Sequence, residues 1–261
     1  MAMRPSSHPL NPPTAAQRVA WPVAIALSPL LLAQGRKVRG IVPKIPPAPL
    51  PWDGVLEGPA PLHVLGVGDS TVVGVGVDDA FLGLIPQFCL ALHERLQRGV
   101  TWRSVGQSGA TTKDILERFL AETPGTSADI VFVSLGANDA KDLKPLGATI
   151  DRFERLAEVL HDAHPRAVLM FSALPAFAQF PTLPQPLKWV LSAHSQAIER
   201  SIRPLIEARF YAMMSPPPSQ YTDGFFAPDG FHPSISGYRD WARFALEDAL
   251  ERGALEHLDR R

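Results

Sequence analysis

Apolar and polar positions follow two different patterns along this chain, and the pattern changes near Leu62. From there onward, short continuous apolar runs alternate with segments in which apolar residues recur every three or four positions. Continuous runs are typical of strands covered on both faces, whereas the longer spacing is typical of amphipathic helices. The runs predict five strands: LHVLGV (62–67), VTWRSVG (100–106), DIVFVSLG (129–136), AVLMFSALP (167–175) and RFYAMM (209–214).

The segments between these strands have helical spacing. They predict five helices, over residues 81–96, 111–120, 150–160, 187–209 and 235–252. Strands that alternate with helices, without tight hairpin signals, indicate a parallel sheet between two layers of helices. We therefore expect an α/β fold, a three-layer α/β/α sandwich with a central parallel five-stranded sheet, formed by residues 62–255.

Residues 1–61 have a different composition and are assigned to a separate N-terminal segment and linker. They contain thirteen of the 27 prolines, and residues 1–50 contain six Lys or Arg residues but no Asp or Glu. From Leu62 onward the chain has 19 basic and 24 acidic residues, so a basic beginning precedes an acidic domain. The stretch VPKIPPAPLPWDG (42–54) is typical of a polyproline-type linker.

An apolar stretch, Val19 to Ala33, lies inside this N-terminal segment. It is too short to span a bilayer and is interrupted by Pro22 and Pro29. The basic cluster RKVR (36–39) directly behind it argues against cleavage and export, so we expect a cytoplasmic protein. Two interpretations stay open: peripheral membrane contact through residues 19–39, or a strap that packs on the domain or on a partner subunit.

Charge and cysteine content exclude two further classes. The net charge of −1 carries no nucleic-acid signature, and the single cysteine, Cys89, cannot form an internal disulfide. Cys89 lies within an apolar helical stretch, which predicts a buried thiol. The histidines outside the site described next (residues 8, 63, 93, 161, 164, 194 and 257) have no metal-ligand grouping, so no zinc site is predicted.

Small and reactive polar residues follow four of the predicted strands. The breaks are Gly68-Asp69-Ser70, GQSGATT (106–112), GANDAKD (136–142) and TDGFFAPDGFHPSISGY (222–238). In open parallel sheets, ligands bind outside the carboxyl ends of the strands. These four breaks are therefore expected to meet at one edge of the sheet.

Together the breaks supply the parts of a nucleophilic site. Ser70 needs a base to become a nucleophile, and His232 can be that base. Asp229, three residues earlier, can reach the imidazole Nδ1–H and set its tautomer. Attack on an ester creates an oxyanion, for which the Ser70 N–H, the Gly109 N–H and the Asn138 side-chain amide are candidate donors.

Neighbouring residues receive other interpretations. Asp69 is expected to brace the turn before the serine, and Asp223 is a weaker candidate than Asp229 for the partner of the histidine. An aromatic and proline-rich stretch after the fourth strand can form a wall of the acyl pocket or pack as ordinary surface; its residues are Phe177, Phe180, Pro181, Pro184 and Trp189.

These breaks, in this order, resemble the four signature blocks of the SGNH (GDSL-like) hydrolase family, and the resemblance covers about residues 62–250. It implies a flavodoxin-like fold and ester hydrolysis through an acyl-serine, without metal or cofactor. Carried over by block, Ser70 resembles the nucleophile and first oxyanion donor, Gly109 and Asn138 the other donors, and Asp229 and His232 the rest of the triad.

One residue departs from the family pattern, and several functions remain open. The family has Leu after the serine, where this chain has Thr71, which leaves the acyl preference undecided. We expect a serine esterase acting on short to medium acyl chains, with a small-molecule or lipid ester as substrate. The alternatives are a membrane-associated lysophospholipase or thioesterase, and an acyltransferase using the same triad. A binding module without activity is disfavoured because the set of site residues is complete.

Overall fold

Six strands form the central sheet of the computed structural model, which describes residues 22–119, 127–256 and 258. In chain order they are β1 (Asp53–Leu56), β2 (Leu62–Gly68), β3 (Val100–Gly106), β4 (Ile130–Ser134), β5 (Val168–Phe171) and β6 (Ala212–Met214). Their order across the sheet is β1-β3-β2-β4-β5-β6. Strands β2 to β6 pair in parallel, and β1 is antiparallel to β3.

Helices cover both faces of the sheet. They are α1 (Ser28–Ile41), α2 (Leu84–Leu96), α3 (Thr112–Asp114), α4 (Ala137–Lys141), α5 (Leu146–Ala163), α6 (Leu187–Glu207) and α7 (Ile235–Glu251). Along β4, Ile130 and Phe132 face a core shared with α2 and α7. Val131 and Val133 face the other core, shared with α1, α5 and α6. Because side chains alternate along a strand, a strand that is apolar at every position is buried on both faces.

The predicted α/β/α sandwich and its five parallel strands are confirmed, but the strand count of five is wrong. The sixth strand, β1, lies in the segment that the sequence assigned to a linker. Its four residues lie between prolines and show no apolar periodicity. Its partner supplies the stability: Gly54 faces Trp102 of β3, and a Cβ at residue 54 would lie 2.2 Å from the indole ring. This contact joins two distant parts of the chain, so local sequence does not reveal it.

All five predicted helices differ from their predicted bounds by at least one residue, and two of them show a local reason. The helix expected from residue 81 begins at Leu84, because Phe81 belongs to a 3₁₀ turn and packs edge-on against Trp102. It ends at Leu96, as predicted, and the next residue, Gln97, takes the left-handed conformation (φ 54°). The helix predicted over 111–120 is a three-residue α-helical turn followed by a π-helical turn, Ile115–Phe119; residue 120 lies outside the described residues.

The N-terminal segment packs on the domain wherever it is described. The Gln34 side-chain amide donates to Gln185 O (2.6 Å) and its carbonyl accepts Leu187 N–H (3.1 Å), which joins α1 to the start of α6. Ala48 N–H donates to Val73 O at 3.0 Å. No helix in the described part of the chain is both long enough and apolar enough to cross a bilayer. The part of the predicted membrane contact that falls on residues 19–21 lies outside the described residues.

The carboxyl ends of β2, β3 and β4 lie unusually close together, because two of them end in glycine. A Cβ on Gly68 would lie 2.2 Å from Ser134 O, and one on Gly106 would lie 2.0 Å from Gly68 O. A distance below about 3 Å is a steric clash, so only glycine allows the three backbones to approach in this way. The loops that carry the polar breaks therefore start side by side.

Candidate active site

Ser70, His232 and Asp229 form a continuous hydrogen-bonded chain at this edge of the sheet. Ser70 Oγ lies 3.1 Å from His232 Nε2, and His232 Nδ1 lies 2.6 Å from Asp229 Oδ2. An ionised carboxylate only accepts hydrogen bonds, so in the neutral imidazole the proton sits on Nδ1. The lone pair of Nε2 then faces the serine hydroxyl, which is the arrangement that a general base requires.

One carboxylate both shapes the histidine loop and orients the ring. Asp229 Oδ1 accepts the backbone N–H groups of Phe231 and His232, each at 2.9 Å, while Oδ2 accepts the ring N–H. Burial raises the pKa of the Asp229 carboxyl, but these hydrogen bonds outweigh burial and leave the pKa below its usual value. Asp229 is therefore ionised at neutral pH. Asp223, the other candidate from sequence, is exposed and does not hold the histidine.

Buried contacts hold the serine loop against the histidine loop. The Tyr238 hydroxyl, at the start of α7, donates to Val75 O at 2.6 Å, and the side chain is fully buried. A Cβ on Gly76 would lie 2.2 Å from Pro233 O, so the two backbones touch at a residue with φ 110°. These contacts fix the position of His232 relative to Ser70, although the two residues are 162 positions apart.

Asn138 connects the loops after β2, β3 and β4. Its Nδ2 donates to Ala110 O at 3.0 Å and more weakly to Asp69 Oδ2 at 3.3 Å. Its Oδ1 accepts the Lys141 ammonium at 2.8 Å, which fixes the orientation of the amide. Both protons of the amide nitrogen therefore have acceptors within the protein.

The turn that carries Gly109 borders Asn138, because the carbonyl of the next residue, Ala110, accepts the Asn138 amide. Gly109 lies in a tight turn closed by Ala110 N–H to Gln107 O (3.0 Å), with φ 84°. No protein atom lies within 4 Å of the position that a Cβ at residue 109 would take. Within the described residues, the reason for glycine is the left-handed backbone conformation.

A second buried carboxylate aligns the Gly109 turn with Asn138. Asp139 Oδ2 accepts both the backbone N–H (2.9 Å) and the hydroxyl (3.0 Å) of Thr112, at the end of the turn that carries Gly109. Burial raises the pKa of the Asp139 carboxyl. Sequence analysis did not assign this role, although the signal was an acidic residue directly after Asn138.

The profile of the GDSL-like Lipase/Acylhydrolase family matches residues 67–239, about two thirds of the chain and all four breaks. The chain belongs to this family. It is therefore a hydrolase of the lipase and esterase class, acting on esters. No curated protein sequence matches the chain.

Solved structures with the same fold are distant in sequence from this acylhydrolase. A family 3 carbohydrate esterase from Clostridium thermocellum has 17% identity and a TM-score of 0.56, covering 76% of this chain and 99% of its own. The psychrotrophic esterase EstA from Pseudoalteromonas has 16% identity and a TM-score of 0.53, covering 73% and 97%. An extracellular lipase from Streptomyces rimosus has 18% identity and a TM-score of 0.51, covering 72% and 99%. At these identities the likeness establishes the fold.

A cleft beside Ser70 and His232 provides the space for a substrate of this acylhydrolase. It has a largely aromatic wall, formed by Phe180, Tyr221, Phe225, Phe231, Trp241 and Phe244. Of these six wall residues, only Phe180 was among the residues considered from the sequence. Two others considered there do not line the cleft: Phe177 is fully buried behind Phe180, and Trp189 is exposed on α6. The other aromatic residues of the wall all lie between residues 221 and 244, in the loop that carries His232 and in α7.

The floor of the cleft is polar. Thr71 Oγ1 lies 2.8 Å from Ser134 Oγ, and Ser172 Oγ lies 3.4 Å from the same atom. All three residues line the cleft. The threonine that departs from the family pattern is thus one of three hydroxyl groups at the ends of neighbouring strands.

Cys89 and the scattered histidines take no part in this site. Cys89 is fully buried on α2, as predicted, and burial raises the pKa of its thiol well above the usual value. Among the described residues, His, Cys, Asp and Glu side chains form no group of three that could hold a metal ion.

Asp69 braces the turn before the serine, as expected. Its Oδ1 accepts the N–H and the hydroxyl of Thr71, both at 3.2 Å. Burial raises the pKa of Asp69 to about 6, although the hydrogen bonds from Thr71 oppose the shift. A carboxyl whose pKa is higher in the folded protein binds more protons there than in the unfolded chain, so it stabilises the fold less as pH rises.

Asp69→Asn should change the pH dependence of stability. Between about pH 4 and pH 7 the wild-type free energy of unfolding should fall by roughly 3 kcal/mol relative to that of the variant, because only the wild type must ionise a buried carboxyl. Urea unfolding at several pH values measures the difference, with Asp223→Asn, an exposed carboxylate, as control. A difference that does not vary with pH would contradict the raised pKa.

Proposed function

We propose that this acylhydrolase is a serine esterase that hydrolyses carboxylic esters of short to medium acyl chains through an acyl-serine intermediate. The observation that carries the proposal is the chain from Ser70 Oγ through His232 to Asp229, with contacts of 3.1 and 2.6 Å. A serine hydroxyl is a weak nucleophile on its own, and a base held at hydrogen-bond distance is what activates it.

The acylation step uses each of these groups. Ser70 Oγ attacks the ester carbonyl carbon while His232 Nε2 takes the hydroxyl proton, and the ionised Asp229 stabilises the imidazolium. The carbonyl oxygen becomes an oxyanion that accepts hydrogen bonds from Ser70 N–H, Gly109 N–H and Asn138 Nδ2. The tetrahedral intermediate then expels the alcohol, which receives the proton from Nε2, and the acyl group stays on Ser70.

Deacylation repeats the sequence with water. His232 takes a proton from a water molecule, whose oxygen attacks the acyl carbon, and the same donors hold the second oxyanion. The Ser70 oxygen leaves, recovers a proton from Nε2, and the carboxylic acid is released. No cofactor is required for either step.

Ser70→Ala removes the nucleophile, so the rate of p-nitrophenyl butyrate hydrolysis should fall on the order of 10⁴-fold or more. The wild type should also gain the mass of one phosphonyl group at Ser70 after treatment with a fluorophosphonate, as read by mass spectrometry. The control is Ser219→Ala, an exposed serine near the cleft, which should behave as wild type. Unchanged turnover in Ser70→Ala would contradict the proposal.

An aromatic cluster at the wall of the cleft supports the proposal of short to medium acyl chains. Phe180 meets Phe226 and Phe231 in edge-on contacts with ring centroids 5.0 Å apart, so a packed aromatic cluster bounds the cleft. Across a series of p-nitrophenyl esters, kcat/KM should therefore peak at short to medium length and fall for long chains. Phe180→Ala should move the maximum toward longer chains by removing part of this wall. A maximum at the longest chains in the wild type would contradict the acyl length proposed here.

Asn138→Ala should lower kcat by about 10²–10³-fold with little change in KM, because its amide acts on the transition state rather than on the ground state. Lys141→Met should cause a smaller loss, up to about tenfold, by releasing the orientation of that amide, and Lys141→Arg should restore activity. The matched control is Lys113→Met, an exposed lysine paired with Glu117. A raised KM with an unchanged kcat would point to substrate binding instead.

A second candidate is a lysophospholipase or thioesterase that works at a membrane. The observation in its favour is the apolar and basic outer side of α1, which is developed below. This candidate uses the same triad and differs only in that its ester substrate lies in a membrane.

A further inference from the structure

Helix α1 has two unlike sides. One side is packed on the domain: Leu31 is buried in the core shared with α5 and α6, as is Ala24 in the helical residues just before α1. Gln34 fixes the same side through its two hydrogen bonds to Gln185 and Leu187. The orientation of the helix on the domain is therefore set, and so is the side that it turns outward.

The outward side is apolar for three turns and then becomes basic. We call it the outer face of α1, and it consists of Ile25, Ala26, Pro29, Leu30, Leu32 and Ala33, followed by Arg36, Lys37 and Arg39. The exposed fractions of Ile25, Leu30 and Leu32 are 55%, 46% and 53%. Single exposed apolar residues are ordinary on a protein surface, but Ile25, in the helical residues just before α1, and Leu32, seven positions later, lie on the same side, with Leu30 on its flank, and form a patch.

Charge indicates what covers this patch. The first 52 residues contain no Asp or Glu, so no acidic side chain neighbours the basic end along the sequence. A helix with large apolar residues on its outward side and arginine and lysine at one end fits the interface of an anionic bilayer, where the apolar side chains enter the headgroup region and the cations contact lipid phosphates. A nucleic acid would not cover the apolar turns, and a neutral surface would not use the cations.

The same helix adjoins the loop that borders the cleft. Gln34 contacts Gln185, and three residues earlier the Thr182 hydroxyl donates to Gly230 O at 3.1 Å. Gly230 lies between Asp229 and His232, and Phe180 of the same loop lines the cleft. Trp189 is 37% exposed one turn further along α6, and tryptophan is favoured at membrane interfaces.

The geometry points to a docking surface: the outer face of α1 binds an anionic lipid membrane and brings the loop beside the cleft close to the bilayer. The consequence for substrate, that ester-linked acyl chains of membrane lipids enter the cleft, rests on the proposed function. The docking itself does not, and it can be measured without any turnover.

Vesicle sedimentation of the full chain tests the docking. The wild type should bind vesicles containing about one third phosphatidylglycerol at least tenfold more tightly than vesicles of phosphatidylcholine alone, and added salt should weaken the binding. Two double variants should each weaken binding to anionic vesicles by about tenfold or more: Ile25→Glu/Leu32→Glu and Arg36→Glu/Lys37→Glu. The control is Phe210→Glu, which places the same charge at a residue that is 96% exposed outside this face and should bind as wild type.

Other outcomes would overturn the docking surface. One is that the wild type does not bind anionic vesicles, and another is that Ile25→Glu/Leu32→Glu binds them as well as the wild type. A third is that light scattering shows a dimer that this variant abolishes, which would assign the face to a second copy of the chain. Hydrolysis of p-nitrophenyl butyrate by the same variants separates the two proposals. A variant that hydrolyses the ester normally but no longer binds vesicles supports docking. A wild type that binds vesicles but does not hydrolyse the ester would leave docking intact and contradict the esterase proposal.

Discussion

The close approach of β2 to β3 and β4 at their carboxyl ends is the constraint on which the site depends. Gly68 pairs with Gly106 on one side and with Ser134 on the other, and Cβ atoms at the two glycines would clash with neighbouring backbone. Because three loops leave the sheet from this point, their polar groups meet without long side chains. A serine hydroxyl, a glycine N–H and an asparagine amide, all short groups, can therefore face one reacting carbonyl.

The histidine reaches this point by a different route. It follows β6, which lies two strands away from β4, so the sheet alone does not place it beside Ser70. Its position depends on packing: the Tyr238 hydroxyl binds Val75 O, and the Gly76 and Pro233 backbones touch. The Asp229 carboxylate completes the arrangement, because the same group closes the loop and holds the ring. Loss of this carboxylate would affect both the tautomer and the backbone that carries it.

Buried carboxylates at the edge of the sheet are in different electrostatic states. Asp229 receives three hydrogen bonds and its pKa is lowered, whereas burial outweighs the hydrogen bonds of Asp69 and raises its pKa to about 6. Asp69 also shares Asn138 Nδ2 with the expected oxyanion position. Its pKa still lies below neutrality, so Asp69 is mostly ionised at pH 7 and its charge opposes a second negative charge there. The differing environments of the two aspartates agree with their different positions in the site.

The sequence alone determined the class of fold, the five parallel strands, and the residue types that meet at the site. These features follow from short-range patterns: strands buried on both faces are apolar at every position, and catalytic loops follow strand ends. Tertiary structure alone decided the remainder. Strand β1 pairs with β3 with Gly54 opposite Trp102, the aromatic wall joins Phe180 to residues 221–244, and Lys141 contacts the Asn138 amide. It also decided which side of α1 faces outward, since that depends on the buried contacts of Leu31 and Gln34. Each of these depends on residues brought together by packing, and such contacts leave no periodic signal along the chain.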